Sequence, residues 1–409
     1  MRRIVDLIAP PRLGISFRWL LGSSWAGQVS DGIALAAGPL LVASQTRSPT
    51  LIAAAAIVQQ APALLFALYA GAVADRVDRK VLVLAANVVR VVILVGLVTT
   101  IVTGAISIWV LLVVLFLVAT AELFADTGWR AIPPMLVEPA DLGVANARMM
   151  SGFLVVNQLI GPAVGAALFA IGSAVPFAVQ SLAIALAGAL FLKVRLPVID
   201  RSRAEGTHIG HDIAEGLRWI RGNAPVRTLT LVILIFNITW GAPWGVLVYW
   251  AQERLGISDL GFGLLTTASA IGGILTVLSY DWLEKRFALA TIMKVCLALE
   301  VVVHAGFALT TVPWVAMALM FVFGGYAFVW GSVSQAVRQR ATPERFQGRV
   351  GSVYWLGLAG GLLVGQFLGG LIAEAFGPAA PFWFAFVGSG ITLAVVWRSL
   401  DAIAHAEAD

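Results

Sequence analysis

Charge, cysteine and histidine are all scarce in this 409-residue chain. Only 12% of its residues are charged, whereas soluble domains carry roughly 25%. The hydrophobic residues make up 60% of the chain, and the mean hydropathy is +0.92. This shortage of polar surface excludes a water-soluble fold, and disorder is excluded because disordered chains are poor in aromatic and branched residues. The sequence therefore predicts a protein that lies in a lipid bilayer.

The single cysteine, Cys296, lies in an apolar run, which excludes disulfides and CxxC-type metal or redox sites. His208, His211 and Asp212 form the one metal-like cluster, but it lacks an acid at metalloprotease spacing. A Walker A motif is also absent from the sequence, so ATP is not the expected energy source. We expect no catalytic residue, no metal and no cofactor, and these observations disfavour a membrane-embedded enzyme.

Twelve apolar segments are long enough to cross a bilayer, because a hydrocarbon core of about 30 Å needs roughly 20 helical residues. The segment after Met1–Arg18 lacks a cleavage pattern and is too long for a signal peptide, so it is read as a retained first span. The sequence thus predicts an all-α membrane protein with spans one to twelve at 17–44, 50–74, 81–103, 107–128, 146–171, 174–192, 228–250, 260–282, 289–311, 313–335, 350–375 and 381–399.

Basic residues predict the orientation, because Lys and Arg in short loops stay on the cytoplasmic side. Of the 27 basic residues, Arg47 and Arg254 fall in loops predicted to lie outside, and Arg90 lies within span three. The other 24 fall on the inside only if both termini are cytoplasmic. The net charge of +5 is therefore a topology signal and gives no reason to expect nucleic-acid binding.

A polar stretch near the midpoint divides the chain into three parts. We predict a six-helix bundle at 1–192, a cytoplasmic linker at 193–227 and a second six-helix bundle at 228–409. In the linker, Ile213, Leu217 and Ile220 recur at helical spacing. Two interpretations stay open: an amphipathic helix lying on the cytoplasmic leaflet, or a plain linker helix.

The two halves contain an internal repeat. The acid and base pattern of 75–80, after span two, recurs at 281–286, after span eight, at an offset of 206. Gly161 and Gly165 likewise align with Gly365 and Gly369 at an offset of 204. Parallel repeats of this kind are one way to build an alternating-access carrier with its site between the halves.

The segment after span two carries a family resemblance. Gly71-Ala-Val-Ala-Asp75-Arg76-Val-Asp78-Arg79-Lys80 is similar to the major facilitator superfamily signature Gly-x-x-x-Asp-Arg-x-Gly-Arg-Arg/Lys, and departs from it at Asp78. Asp31, Gly161-Pro162 and the segment 216–221 also resemble the branch that includes macrolide efflux and enterobactin export proteins. The resemblance implies a major facilitator fold and a multi-pass protein of the bacterial plasma (inner) membrane.

The resemblance also implies a role for the signature loop in gating. Asp75 lies where its carboxylate could accept hydrogen bonds at the N-terminus of a neighbouring helix, and Arg79 and Lys80 could pair with acids across the two halves. Such a network would latch the outward-facing state, although the loop could instead be only a topology anchor. The gating candidates are Gly71, Asp75, Arg76, Arg79, Lys80, Asp281 and Lys285.

Ionisable residues within spans are candidates for proton coupling, because each costs roughly 2.5–3.5 kcal/mol to insert. Asp31 lies near the middle of span one, and we expect Arg90 of span three to pair with Glu122 of span four. Glu300 and His304 lie one turn apart in span nine and could share a proton. For each of them, a purely structural hydrogen bond or ion pair is the alternative.

Aromatic and amide side chains give a weaker signal for a substrate cavity, because large amphipathic rings suit a bulky, partly apolar ligand. Trp and Tyr near span ends are otherwise typical of the membrane interface. The cavity candidates are Gln28, Asn157, Asn237, Trp240, Trp244, Tyr326, Trp330 and Tyr354.

The function predicted first is export of a small amphipathic organic compound, such as a drug, an antibiotic or a siderophore-like molecule, by proton antiport with alternating access. Proton coupling depends here on the branch and on Asp31, because span four lacks the Arg of the drug/proton antiporter pattern. The alternative is a proton-coupled uptake carrier for a small nutrient. We expect the substrate, protons and lipid to be the partners, with no nucleic acid, and a functional monomer.

Overall fold

The computed structural model describes residues 10–197 and 209–404, and the regular elements in those ranges are all helical. Within these described ranges, eleven helices are long and apolar enough to cross a membrane, and the twelfth predicted span is an apolar helix of 17 residues. The all-helical membrane fold is therefore confirmed, while the cytoplasmic location of both termini stays a prediction.

Spans one to six are the helices Gly14–Gln45, Pro49–Arg76, Arg79–Val102, Ile108–Arg130, the consecutive segments Leu142–Gly152, Phe153–Ile160 and Gly161–Ile171, and Val175–Leu192. Spans seven to twelve are Ala224–Gly245, Asp259–Arg286, Leu289–Leu309, Pro313–Ala341, Gln347–Phe376 and Ala380–Val396. The linker helix, Ile209–Gly222, lies between span six and span seven along the chain.

Side-chain caps determine where several spans begin. The Asp78 carboxylate accepts hydrogen bonds from the backbone N–H groups of Lys80 and Val81, at 2.8 and 3.2 Å, so it caps span three. Ser107 caps span four and Asn223 caps span seven in the same way. The residue that departs from the family signature thus has a local structural role, because an Asp at this position satisfies helix N–H groups that would otherwise lack a partner.

The helices group into two compact units. Unit one contains the described residues of 10–46, 58–197 and 258–267, and unit two contains those of 47–57, 209–257 and 268–404. The first turns of span two therefore pack within unit two, and the first turns of span eight pack within unit one.

Glycines let two helices cross at backbone contact in each unit. A Cβ on Gly161 of span five would lie 2.5 Å from the Cα of Gly32 in span one. In unit two, a Cβ on Gly365 of span eleven would collide with the carbonyl oxygen of Ile238 in span seven. The two glycines matched by the internal repeat therefore make equivalent crossings, in agreement with a duplicated bundle.

Span five contains a wide π-helical segment, Phe153–Ile160, that the sequence pattern does not predict. The Gly161 N–H bonds to the carbonyl of Val156, five residues back. Pro162 follows directly, and its ring has no N–H to donate to the preceding turn, which accounts for the local departure from α-helical bonding.

The linker helix packs against the beginning of span eleven. Glu215 forms an ion pair with Arg349 at 3.2 Å, and the ring of Trp219 stacks on Phe346 with centroids 5.4 Å apart. A Cβ on Gly216 would lie 2.9 Å from the Arg349 carbonyl oxygen, so this glycine permits the close approach. One face of the linker helix therefore packs on protein, and both interpretations of this helix stay open.

The two basic residues in loops predicted to lie outside both hold helix ends. Arg47 pairs with Glu253 at 2.9 Å. Arg254 donates to the carbonyls of Ala308 and Thr310, at 2.8 and 3.0 Å, where span nine ends. A cation at this position satisfies carbonyls that lack helical partners, which gives a structural reason for the Arg254 exception to the charge bias.

Candidate functional site

Three charged residues of unit one form a cluster near the middle of their helices. The Arg90 Nη2 lies 2.6 Å from a carboxylate oxygen of Asp31 and 3.5 Å from one of Glu122. The expected contact with Glu122 is present, but the shorter contact joins Arg90 to Asp31, a pairing that the sequence analysis missed. Spans one, three and four therefore meet at one guanidinium.

The cluster is unbalanced, since two carboxylates share one guanidinium. Arg90 is only 6% exposed, and its Nε is buried without a hydrogen-bond partner among the described residues. Burial strengthens electrostatic interactions and makes an uncompensated charge costly. The cluster therefore holds more negative than positive charge when both carboxylates are ionised.

Polar and apolar groups adjoin the cluster on span one. Gln28 lies one turn before Asp31, and its Oε1 is buried with no hydrogen-bond partner among the residues described. Leu35 lies one turn after Asp31 and is 41% exposed. Span one thus presents an amide, a carboxylate and an exposed apolar side chain on one helical face.

A second polar cluster lies in unit two and is fully enclosed. Glu300 and His304 are both 0% exposed. The Tyr326 hydroxyl donates to the Glu300 carboxylate, and the His304 Nδ1 lies 2.8 Å from the Glu300 carbonyl oxygen and 3.3 Å from its carboxylate. Trp240 packs against the imidazole, with ring centroids 5.7 Å apart. Tyr326 is thus a partner of Glu300 that the sequence pattern did not predict. The Oε1 of Glu300 and the Nε2 of His304 are buried without a hydrogen-bond partner among the described residues, so both interpretations of this pair stay open.

Most of the cavity candidates are packed between helices. Trp244, by contrast, is 38% exposed. The Tyr354 hydroxyl forms a hydrogen bond with the Ser334 hydroxyl at 3.0 Å, and the Arg338 guanidinium lies 3.8 Å from the centre of the Tyr354 ring. Five of the candidates pack between helices in this structure, and their role in a cavity stays a prediction. The buried candidates are Asn157, Asn237, Trp240, Tyr326 and Trp330, each no more than 8% exposed.

The signature loop borders a cavity of about 710 Å³ whose lining includes Asp75 and Arg79. The Lys80 ammonium donates to the carbonyls of Leu192 and Val194, at 2.8 and 2.6 Å, where span six ends. Its partners here are the end of a helix and not the acid that we expect from the sequence. A cation at a helix C-terminus is favourable, so Lys80 links span three to span six.

Arg79, Asp281 and Lys285 contact residues of their own unit. Arg79 donates to the Met135 sulfur at 3.2 Å. Lys285 pairs with Asp281 one turn earlier at 2.6 Å, and both side chains are largely exposed. A Cβ added to Gly71 would meet open space. An exposed pair of this type contributes about 0.3–0.5 kcal/mol, so it does not by itself act as a latch.

The histidine cluster of the linker falls outside the structural description, which omits His208 and the side chains of His211 and Asp212. Within 10–197 and 209–404, no group of three or more His, Cys, Asp or Glu residues is arranged to hold a metal ion.

Comparisons with known proteins fit this architecture. Residues 7–406 match a major facilitator family described as transmembrane secretion effector. The chain belongs to this family. The transporter is 23% identical over 400 residues to macrolide efflux protein A of Streptococcus pyogenes, covering 93% of this chain and 95% of the relative. It is a carrier of the major facilitator superfamily and not a member of an enzyme family.

Two solved structures share the transporter's fold at low sequence identity. A bacterial homologue of the iron transporter ferroportin, in its inward-facing state, has a TM-score of 0.76 at 16% identity, covering 95% of this chain and 98% of the other. A mutant form of the nucleoside transporter NupG has a TM-score of 0.74 at 13% identity, covering 95% of this chain and 99% of the other.

Proposed function

We propose that the protein exports a small amphipathic organic compound by proton antiport, and that the Asp31, Arg90 and Glu122 cluster is the coupling site. One observation carries the proposal: a buried guanidinium bridges two carboxylates in the interior of a six-helix unit. Ionisable groups at this depth mark ion and substrate pathways in transporters, because they are otherwise too costly to keep. The likeness to a macrolide efflux protein supports export as the direction.

The charges of this cluster would couple the inward flux of protons to the outward flux of the cargo. With Arg90 bound to Asp31, the second carboxylate lacks a full counter-charge, so it favours a proton when no other positive group is near. Alternate exposure of this carboxylate to the two sides, by movement of one bundle against the other, would exchange an inward proton for outward cargo. The glycine crossings of both units allow close helix packing, which such a movement requires.

The test uses everted membrane vesicles that contain the full chain, with an imposed pH gradient, acid inside, and a panel of amphipathic compounds. Wild-type protein should accumulate at least one compound, and a protonophore should abolish the accumulation. Asp31→Asn should also abolish gradient-driven accumulation, because it removes the shortest ion pair of Arg90. Accumulation that survives collapse of the gradient would overturn proton antiport.

Glu300→Gln is the matched control, since it neutralises a buried acid outside the cluster. Gln keeps an acceptor for the Tyr326 hydroxyl, so the variant should fold and retain gradient-driven transport. If Glu300→Gln abolishes coupling while Asp31→Asn does not, the coupling site lies in unit two and the present assignment is wrong.

A further inference from the structure

One arginine at the predicted cytoplasmic end of span ten lacks an acidic partner. Arg338 lies in the last turn of this span, and its guanidinium stacks on the Tyr354 ring of span eleven, 3.8 Å from the ring centre. Among the residues that the structure describes, no carboxylate forms an ion pair with Arg338, and its Nη1 is buried without a hydrogen-bond partner. A partly buried cation with no counter-charge is costly, so this position favours an anion.

A second polar group next to Arg338 is also unsatisfied. Thr342 is the C-cap of span ten, one turn after Arg338, and it is only 3% exposed. Its hydroxyl is buried with no hydrogen-bond partner in the described part of the chain. Buried polar groups are nearly always hydrogen-bonded in native proteins. Because a guanidinium and a hydroxyl can both donate, a single acceptor could satisfy the two groups.

The aromatic ring beneath Arg338 is held in place by a hydrogen bond of its own. Ser334, one turn before Arg338, is 1% exposed, and its hydroxyl lies 3.0 Å from the Tyr354 hydroxyl. A guanidinium that stacks on a ring uses its flat face for that contact. The N–H groups around its edge therefore stay available to a ligand, and the stacking fixes the plane in which they point.

Arg338 lies at the depth of the lipid headgroups. Trp314, at the opposite end of the span, is 77% exposed and is typical of a membrane interface. The helix between Trp314 and Arg338 is about 36 Å long at 1.5 Å per residue, whereas the hydrocarbon core is about 30 Å thick. The guanidinium is therefore beyond the core, where phospholipid phosphates and dissolved anions can both reach it.

We propose that Arg338 and Thr342 bind a phosphate group, carried either by an anionic phospholipid or by free phosphate. The paired N–H groups of a planar guanidinium match two phosphate oxygens, and the threonine hydroxyl adds a further donor. Basic pockets between helices bind phospholipid headgroups at the cytoplasmic side of other membrane proteins. The site belongs to unit two and shares no residue with the Asp31 cluster of unit one, so it does not depend on the proposed antiport.

The test offers phosphate to the purified full chain from two sources. In one arm, protein in an uncharged detergent is titrated with inorganic phosphate, and binding is measured as a rise in the thermal midpoint over sodium chloride of equal ionic strength. In the other arm, native mass spectrometry compares the phosphatidylglycerol and phosphatidylcholine retained from mixed nanodiscs. Wild type should show phosphate-dependent stabilisation, preferential retention of phosphatidylglycerol, or both, and the arm that responds identifies the source.

Variants of span ten separate this site from general attraction between charges. R338Q should weaken binding at least tenfold in the arm to which wild type responds, whereas R340Q, which removes an equal charge from an exposed side chain, should bind as wild type. T342V keeps the side-chain shape and removes only the hydroxyl, so it should be as stable as wild type without phosphate and should bind several-fold more weakly. No response of wild type in either arm, or equal losses in R338Q and R340Q, would overturn the inference.

Discussion

Substitution of Gly161 by Ala tests the packing on which the cluster depends. Gly161 lies in span five against Gly32 of span one, the residue next to Asp31. An added Cβ would lie 2.5 Å from the Gly32 Cα and 2.6 Å from its carbonyl carbon. Both are backbone atoms, which cannot rotate away as a side chain can. The two helices must therefore separate by about 0.9 Å to reach a tolerable contact of roughly 3.4 Å.

The expected magnitude follows from two opposing effects. Overpacking costs typically 1–3 kcal/mol, and exchange of a helical Gly for Ala returns up to about 1 kcal/mol. Separation of the helices also disturbs the neighbouring contact of Gly165 with Ile33, so the cost should lie in the upper part of the range. We expect a net loss of about 1–2 kcal/mol, or a few degrees in the thermal midpoint.

The assay is thermal unfolding of the purified protein in detergent, followed by tryptophan fluorescence. Gly96→Ala is the matched control, because Gly96 lies inside span three and an added Cβ there meets no atom within 4 Å. It should leave the midpoint unchanged or raise it. A Gly161→Ala midpoint equal to or above that of Gly96→Ala would refute the backbone-contact argument.

Two further predictions concern the signature loop. Asp78→Ala should lower the free energy of unfolding by about 1 kcal/mol, whereas Asp78→Gly, which restores the family residue, should lower it by only about a few tenths of a kcal/mol, because Gly is tolerated at a helix N-cap. Equal losses of the two variants in chemical denaturation would contradict this prediction. Lys80→Met should lower the free energy of unfolding by about 0.5–1.5 kcal/mol, because two hydrogen bonds to carbonyls are lost. Lys285→Met, which breaks an exposed pair, should lower it by no more than about 0.5 kcal/mol. Equal losses in the same assay would contradict the role of Lys80 as a cap of span six.

Hydropathy and length were sufficient to predict the helical membrane fold, because each span must satisfy its own backbone hydrogen bonds in lipid. Helix bounds agree closely for most spans, and the repeat correctly matched Gly161 with Gly365. The π-helical segment at Phe153–Ile160 could not be predicted, since helical periodicity does not distinguish five-residue from four-residue bonding at a single turn. The only local signal for it was Pro162.

Site residues were harder to predict than spans. Mid-span charge alone singled out Asp31, Arg90 and Glu122, because the cost of burying each makes it conspicuous. Their order of pairing was not predictable, since it depends on how spans one, three and four face one another. Aromatic residues gave the least specific signal, because the same side chains suit a core, an interface or a cavity. Trp240 and Trp330 are both buried in this structure.

The sequence by itself determined that the chain lies in lipid, how many times it can cross, and which few charges remain within the spans. Those properties depend on composition and on spacing along one helix. Only the tertiary structure decided that Asp31 binds Arg90 more closely than Glu122 does, and that Lys80 caps span six. The physical reason is that an ion pair depends on a separation of a few ångströms between different helices, and helix packing fixes that distance.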